Sequence, residues 1–356
     1  MLNFIKEPTS VWDNLQTTKK PIILYGMGNG ADKIIDWCEA HHIKVSGIFA
    51  TDEFVRYQSF RGHIVRKYSD IIEDFGNNIL IVIAFASERP EVLQRFAELA
   101  ELHETIAPHL PLFAETDLVS TEWLQKYARQ LEQAYALLAD EKSREVFTAI
   151  LNYKFSGKLN YLFSCTTTRS SDLQNIFSWS DNESYLDLGA YNGDTIQEFL
   201  TLCHKPQQLL AVEPDRRNCR KLRALNDELG LKCEIHECGI WDTKTELSFS
   251  DSGGRQSSFF STKKNTVPVN SIDNIVLGRS ITYIKMDVEG AETQALNGGK
   301  ITISTNKPKL FIAAYHYDND LWRLPLMLKE LVPDYKLYLR KHPYVPCWEI
   351  NYLAAP

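Results

Sequence analysis

The sequence predicts an α/β protein with a small Rossmann-like domain, a helical connector and a second, larger domain built on a Rossmann-like doubly wound sheet. In both halves, short unbroken apolar runs alternate with stretches of helical periodicity, a pattern typical of parallel sheets covered by helices. In each half, the first apolar run leads into a glycine-bearing turn that opens a helix. We predict an N-terminal Rossmann-like accessory domain at 1–115, a helical connector at 116–180 and a second α/β domain at 181–356.

The N-terminal half is predicted to form a small parallel sheet. Its predicted strands are 21–25, 44–49 and 78–84, and its predicted helices lie between about 31 and 42, at 69–75 and at 90–103. The turn Gly26–Ala31 has the spacing Gly-x-Gly-x-x-Ala, and Asp52 and Glu53 follow the next strand. This weak dinucleotide-like pattern leaves two interpretations open: a nucleotide site, or a module that only packs or recognises substrate.

The connector is predicted to be helical because its apolar residues recur every three or four positions. These residues include Leu124, Tyr127, Leu131, Tyr135 and Leu138. No strand pattern interrupts them.

The C-terminal half is predicted to form a larger doubly wound sheet. Its predicted strands are 185–188, 209–213, 232–237, 245–250, 282–287, 309–314, 336–340 and 349–353. A short loop containing prolines joins the last two, so we expect them to pair as a hairpin. A parallel sheet that ends in an antiparallel hairpin is the plan of class I methyltransferases.

The strongest local pattern is the turn after the first strand of this sheet. Gly189 and Gly193 allow a sharp turn and close approach of a ligand to the backbone. Glu213 ends the next strand, 26 residues after Asp187, where a carboxylate can accept both ribose hydroxyls. There is neither a Gly-Lys-Ser/Thr nor a third glycine at pyrophosphate spacing. The pattern therefore indicates adenosine without a phosphate chain, with S-adenosylmethionine as the leading cofactor candidate.

The candidate cofactor residues lie on three strand ends. They are Asp187, Gly189, Ala190, Tyr191, Asn192, Gly193, Asp194, Glu213, Pro214, Gly239, Ile240 and Trp241. We expect Gly189 and Gly193 to line the methionine end, and Asp187 and Asp194 to approach its positive charges. For Ile240 and Trp241, a place in the apolar core is an equally open alternative.

Charged residues also gather after two later strands. Lys285, Asp287 and Glu289 lie at the end of one strand, and His316 follows the next. We predict these four as catalytic residues, with Asp287 or His316 removing a proton from a substrate hydroxyl. We interpret Glu292 as a helix cap. No metal site is predicted, although Asp287 and Glu289 could instead bind a divalent cation that orients a sugar diol.

Together, several segments of the C-terminal half resemble the FkbM family of S-adenosylmethionine-dependent methyltransferases. The segments are 187–194, 212–215, 239–242, Ser257-Ser258, 269–273 and 284–292. The resemblance covers roughly residues 180–345, and it implies O-methylation, commonly of a sugar or polyketide hydroxyl. Because the family is broad, the acceptor does not carry over.

Composition excludes other classes of protein. The net charge of −7 argues against a nucleic-acid binder, and no apolar run is long enough to span a bilayer. The seven scattered cysteines contain no Cys-x-x-Cys pair, which favours reduced thiols in a cytoplasmic protein. We expect a small-molecule or glycan hydroxyl acceptor as partner. Two rival functions remain: an NAD-dependent sugar oxidoreductase using Gly26–Ala31, and an adenosine-binding sensor or scaffold without catalysis.

Overall fold

The computed structural model describes residues 2–113, 118–249 and 265–356. Its helices are α1 (Val11–Thr17), α2 (Asn29–Ala40), α3 (Tyr68–Phe75), α4 (Pro90–Leu102), α5 (Thr121–Lys126), α6 (Ala128–Ala136), α7 (Glu141–Ser156), α8 (Leu159–Cys165), α9 (Arg169–Ile176), α10 (Asp194–Leu202), α11 (Arg216–Glu228), α12 (Ile272–Val276), α13 (Glu292–Gly298), α14 (Lys300–Asn306) and α15 (Asp320–Leu331). Its strands are β1 (Ile22–Tyr25), β2 (Val45–Phe49), β3 (Ser59–Phe60), β4 (His63–Arg66), β5 (Leu80–Ile83), β6 (Glu104–Ile106), β7 (Ser184–Leu188), β8 (Gln208–Val212), β9 (Cys233–His236), β10 (Gly239–Ile240), β11 (Thr245–Phe249), β12 (Asn265–Asn270), β13 (Tyr283–Met286), β14 (Lys309–Ala313), β15 (Lys336–Lys341) and β16 (Ile350–Ala355).

The described chain forms two compact units. The first contains Met1–Glu132, Arg144–Thr167 and Lys341–Glu349, and the second contains Gln133–Ser143, Thr168–Arg340 and Ile350–Pro356. The residues predicted as one connector, 116–180, are thus divided between the two units. The loop Lys341–Glu349, near the end of the sequence, belongs to the first unit. The predicted domain boundaries stay predictions.

The first unit is built on a six-stranded sheet with the order β3-β4-β2-β1-β5-β6. Strand β1 pairs in parallel with β2 and with β5, while β3 and β4 form an antiparallel pair. The predicted strands 21–25, 44–49 and 78–84 correspond to β1, β2 and β5. The sequence analysis missed β3 and β6, which have only two and three residues, and β4, whose sequence His-Ile-Val-Arg has polar residues at both ends.

The second unit is built on a seven-stranded sheet with the order β15-β16-β14-β13-β7-β8-β9. Most pairs are parallel, whereas β16 runs antiparallel to β14. The predicted class I methyltransferase fold is confirmed. The strand order reverses between β7 and β13, and ligands of open α/β sheets bind at such a switch point, beyond the carboxyl ends of the strands.

A second, three-stranded sheet with the order β10-β12-β11 was not predicted. Strand β10 has only two residues, and β12 lies in a stretch that the sequence analysis left without a strand. The predicted strand 245–250 belongs to this smaller sheet as β11. It therefore does not extend the main sheet.

Three aromatic rings pack together at the centre of the second unit. Tyr185 on β7 stacks on Tyr283 of β13 with ring centroids 4.9 Å apart, and Phe199 of α10 lies 4.4 Å from Tyr185. All three rings are almost fully buried. This cluster ties α10 to the two central strands that carry the candidate site.

Among the described residues, the model contains no helix with the length and apolar character needed to cross a membrane.

Candidate active site

The turn after β7 is attached to the neighbouring strands through its backbone. The amides of Gly189 and Ala190 both donate to the carbonyl of Val212, at 3.0 and 3.1 Å. Gly189 has φ +80°, and a Cβ there would lie 1.9 Å from the carbonyl oxygen of Asp287. Only glycine fits this position, because the turn touches the backbone directly beyond β13.

Glu213 lies just past the end of β8 and is 6% exposed. Its carboxylate accepts hydrogen bonds from the amides of Tyr191 and Asp215, both at 2.9 Å, and from Asn218 Nδ2 at 3.4 Å. Burial raises the pKa of Glu213, and these hydrogen bonds partly oppose the rise. The side chain therefore braces the turn, and the contact to the Tyr191 amide leaves Oε2 with capacity for a ligand hydroxyl.

Asp187 lies beneath the turn with no solvent exposure. Thr195 Oγ1 donates to its Oδ2 at 2.5 Å, and Lys285 Nζ lies 3.6 Å from its Oδ1. Lys285 also donates to the carbonyl of Gly189 at 2.7 Å. Burial raises the pKa of Asp187, while Lys285 and Thr195 act to lower it. Asp187 and Lys285 thus support the turn from inside the protein. This position differs from the prediction that Asp187 approaches the positive charges of the ligand.

The solvent-facing part of the turn is formed by other residues. Tyr191 is 36% exposed with φ +46°, and Lys221 Nζ lies 5.5 Å from its ring centroid. Asn192 Oδ1 accepts from the amide of Asp194 at 3.3 Å. Asp194 is exposed at the start of α10, and Gly193 is buried against Leu225 of α11. Of the two predicted acids, Asp194 is the one that faces outward.

The residues after β9 are placed mainly in the protein interior. Ile240 is 1% exposed, which agrees with the alternative that this residue belongs to the apolar core. The amide of Trp241 donates to the carbonyl of Asn270 at 2.9 Å. A Cβ at Gly298 would lie 2.4 Å from the carbonyl oxygen of Trp241, so this backbone packs against α13. Gly239 is buried, and Pro214, after β8, is half-buried.

Beyond β13 and β14, three carboxylates surround the imidazole of His316. Its Nε2 lies 3.6 Å from Asp287 Oδ1 and 3.4 Å from Glu289 Oε2, and its Nδ1 lies 3.0 Å from Glu292 Oε1. The same Glu292 oxygen accepts a hydrogen bond from the amide of Val288 at 3.0 Å. The structure thus brings together three of the four residues predicted as catalytic.

Solvent exposure and charge divide this cluster into two layers. The side chains of His316 and Glu292 are 1% exposed, whereas those of Asp287 and Glu289 are 33% and 38% exposed. Burial by itself would lower the pKa of His316, but the negative charge of Glu292, with that of Glu289, holds this pKa well above its usual value. Burial raises the pKa of Glu289. His316 and Glu292 therefore form the buried layer of the cluster, and the accessible groups are the carboxylates of Asp287 and Glu289.

Sequence reasoning missed three members of this region. Glu292 is not the helix cap that we expected: it is the first residue of α13, and it accepts a hydrogen bond from the amide of Val288, which lies before the helix, and faces His316. Tyr315 donates to Asp287 Oδ1 at 3.3 Å. Asp320 is 1% exposed, and burial together with the charge of Glu292 raises its pKa to about 7. The sequence signal for Asp320 was its closeness to His316, four residues away. Ser257 and Ser258, part of the resemblance, lie outside the described residues.

Comparisons with known proteins support the fold, and one segment of the chain matches a protein-family model. A protein-family model described as the Methyltransferase FkbM domain matches residues 187–346 of this chain. The crystal structure of methyltransferase FkbM from Methylobacillus flagellatus KT has a TM-score of 0.73 and 20% identity, and the match covers 99% of this chain and 95% of that one. At this identity the likeness establishes the fold.

A SAM-dependent methyltransferase from Aquifex aeolicus is also similar, at a TM-score of 0.33 and 10% identity, with 63% of this chain and 97% of that one covered. This weaker likeness carries no argument. No curated protein matches the chain.

The matched residues 187–346 contain the glycine turn, Glu213 and the histidine–carboxylate cluster. The part of the chain that carries the candidate site is therefore similar to the FkbM methyltransferase domain.

Proposed function

We propose that this protein transfers a methyl group from S-adenosylmethionine to a hydroxyl oxygen of a sugar, glycan or other small-molecule acceptor. The observation that supports it best is the position of Glu213, a nearly buried carboxylate bonded to the glycine turn at the switch point of the sheet. Adenosine-containing ligands bind at this place in doubly wound folds.

The cofactor assignment rests on the shape of the turn as well as on Glu213. Gly189 lies in close contact with the backbone after β13, and Lys285 holds its carbonyl from below. The turn therefore offers a preorganised backbone surface. The methionine end of the cofactor would lie along it, with Asp194 as the exposed acid near the positive charges.

In this proposal the acceptor binds at the same edge of the sheet, beside Asp287 and Glu289. Methyl transfer from a sulfonium needs donor and acceptor held in line, and much of its acceleration comes from this proximity. The proton of the acceptor hydroxyl would pass to Asp287 or Glu289, the two accessible carboxylates. His316 is buried and lies against both carboxylates, so we assign it to positioning them and not to taking the proton.

The test is calorimetric titration of the full chain with S-adenosylmethionine and S-adenosylhomocysteine. Glu213→Ala removes the charged acceptor of the ribose hydroxyls and the support of the Tyr191 amide, so we expect binding to weaken by roughly 1.5–3 kcal/mol. Asp52→Ala is the matched control, since Asp52 follows the corresponding strand of the first unit and is exposed.

Wild-type protein that binds neither compound contradicts the proposal. So does a Glu213→Ala variant that binds as tightly as the Asp52→Ala control.

A further inference from the structure

We propose that Asp287, Glu292 and His316 form a binding site for a divalent transition-metal ion such as Mn²⁺. The three side chains come from two neighbouring strand ends and the first turn of α13. The existence of the site stands on its own geometry, while its catalytic role rests on the proposed methyl transfer.

The first argument is distance. One ligand atom from each of the three residues lies within 4.8 Å of the other two. Nitrogen and oxygen ligands that share one ion at about 2.1–2.2 Å lie up to about 4.4 Å apart. A shift of a few tenths of an ångström therefore closes the set around an ion, and side-chain rotation is enough to supply it.

The second argument is the unsatisfied state of the imidazole. His316 is 2% exposed, and within the described part of the chain neither of its ring nitrogens has a hydrogen-bond partner. The carboxylate oxygens at 3.0–3.6 Å lie outside hydrogen-bond geometry. Oε2 of the buried Glu292 is likewise unpartnered among the described residues. Buried polar atoms are normally paired, and an ion among these atoms would satisfy them.

The third argument is the layering of the cluster. Glu292 and His316 are buried beneath Asp287, which is one-third exposed. Ligands on one side and solvent on the other leave coordination positions open, as in catalytic metal sites. A set of one imidazole and carboxylates suits Mn²⁺, Fe²⁺ or Zn²⁺ better than Mg²⁺ or Ca²⁺, which prefer oxygen ligands only.

The open position faces the place assigned to the acceptor. An ion there would bind the acceptor hydroxyl and favour loss of its proton. Glu289, whose Oε2 lies 3.4 Å from His316 Nε2, would remain to take that proton. An acceptor with two adjacent oxygens would bind most tightly, because both oxygens can reach the same ion.

The experiment is titration of the chelator-treated full chain with MnCl₂, followed by calorimetry. We expect one Mn²⁺ per chain, and at least about tenfold weaker binding for Asp287→Asn and for Glu292→Gln. Glu183→Gln is the control: Glu183 is also buried, but it lies at the opposite edge of the sheet, 2.8 Å from Lys309. Its substitution should leave Mn²⁺ affinity unchanged.

Because Glu292 is buried, its substitution could impair folding, so a second measurement uses the wild-type protein alone. Pulsed electron paramagnetic resonance of bound Mn²⁺ should show coupling to one imidazole nitrogen. Absence of Mn²⁺ binding, absence of this nitrogen coupling, or equal affinity in all three variants overturns the inference.

The metal proposal and the proposed function can fail separately. Titration with S-adenosylmethionine is performed without metal. Cofactor binding without Mn²⁺ binding overturns only the metal site, and Mn²⁺ binding without cofactor binding overturns only the methyl-transfer proposal.

Discussion

The two α/β units contain similar glycine turns, yet only the turn of the second unit is surrounded by buried charge. In the first unit, a Cβ at Gly30 would lie 2.2 Å from the carbonyl oxygen of Ala84, just beyond β5. In the second, a Cβ at Gly189 would lie 1.9 Å from the carbonyl oxygen of Asp287, just beyond β13. Both glycines let the turn contact the backbone that follows a neighbouring strand.

The side chains around the two turns differ in kind. Beside Gly26, the ring of Phe85 would lie 2.4 Å from an added Cβ, and Tyr25 stacks on Phe49 with centroids 4.4 Å apart. Asp52, the predicted ribose acid of this unit, is exposed and lies 3.9 Å from Lys67. Glu213 in the second unit is nearly buried and bonded to its turn. A glycine turn thus indicates close packing, and the polar neighbours decide whether it indicates a ligand.

The units also differ in how each holds a buried lysine. Burial lowers the pKa of Lys285, but the negative charges of Asp187 and Asp287 together raise it above its usual value. Lys341, in the first unit, donates to the backbone carbonyl of Tyr344 at 2.8 Å and to that of His342. Burial lowers the pKa of Lys341 to about 8. The same residue type is stabilised as a cation in one unit and destabilised in the other.

The largest effect is expected for Gly189→Ala. The new methyl group would collide with a backbone carbonyl at a positive φ, so we expect a loss of more than about 5 kcal/mol of folding free energy and no cofactor binding. Gly28→Ala tests the turn of the first unit, where φ is +126° but no atom lies within 4 Å of the added Cβ. Strain alone should cost roughly 1–3 kcal/mol there. Urea denaturation measures the loss of unfolding free energy in both variants. Equal losses would contradict the difference that we describe between the two turns.

The next effect concerns the Lys285–Asp187 pair. Lys285→Met leaves the carboxylate of Asp187 buried without its cation, which should cost roughly 3–5 kcal/mol. Adding Asp187→Asn removes that charge and should restore part of the stability, as thermal unfolding would show. A double variant no more stable than Lys285→Met would mean that the pair does not act through charge.

The smallest effect is a pH dependence at Lys341. Its folded pKa of about 8 lies below the usual 10.5, so the unfolded chain holds more protons between these values and stability rises with pH there. Between pH 7 and pH 10.5, the unfolding free energy of the wild type should rise by roughly 2–3 kcal/mol relative to Lys341→Met. Urea denaturation of both proteins at the two pH values measures this change. If the difference in unfolding free energy between the two proteins is the same at both pH values, Lys341 is not desolvated. For Lys285, whose pKa is raised, we expect no such rise in stability over the same pH interval.

Many strands and helices could be predicted from the sequence because their signals are local. Strands β7, β8, β13 and β14 are mainly apolar, with Asp187 in β7 and Lys285 in β13 as internal charged residues, and the turn between β7 and α10 carries its glycines at fixed spacing. The short strands β3, β6 and β10 could not be predicted, because their conformation depends on pairing with distant strands. The loop Lys341–Glu349 belongs to the first unit although it lies near the end of the chain. A division of the sequence into consecutive domains cannot represent this, because the residues on both sides of the loop belong to the second unit.

The sequence by itself determined the doubly wound fold and the strand ends where charge collects, because periodicity, glycine positions and the short connections between strands are properties of neighbouring residues. The tertiary structure alone decided what each charged group does. Lys285 meets the carbonyl of Gly189 across 96 residues of chain, and the pKa of His316 is raised by Glu292 and Glu289, whose carboxylates reach the imidazole only in the folded protein. Burial and pairing set the protonation and the reach of a side chain, and both arise from contacts between residues that are distant in the sequence.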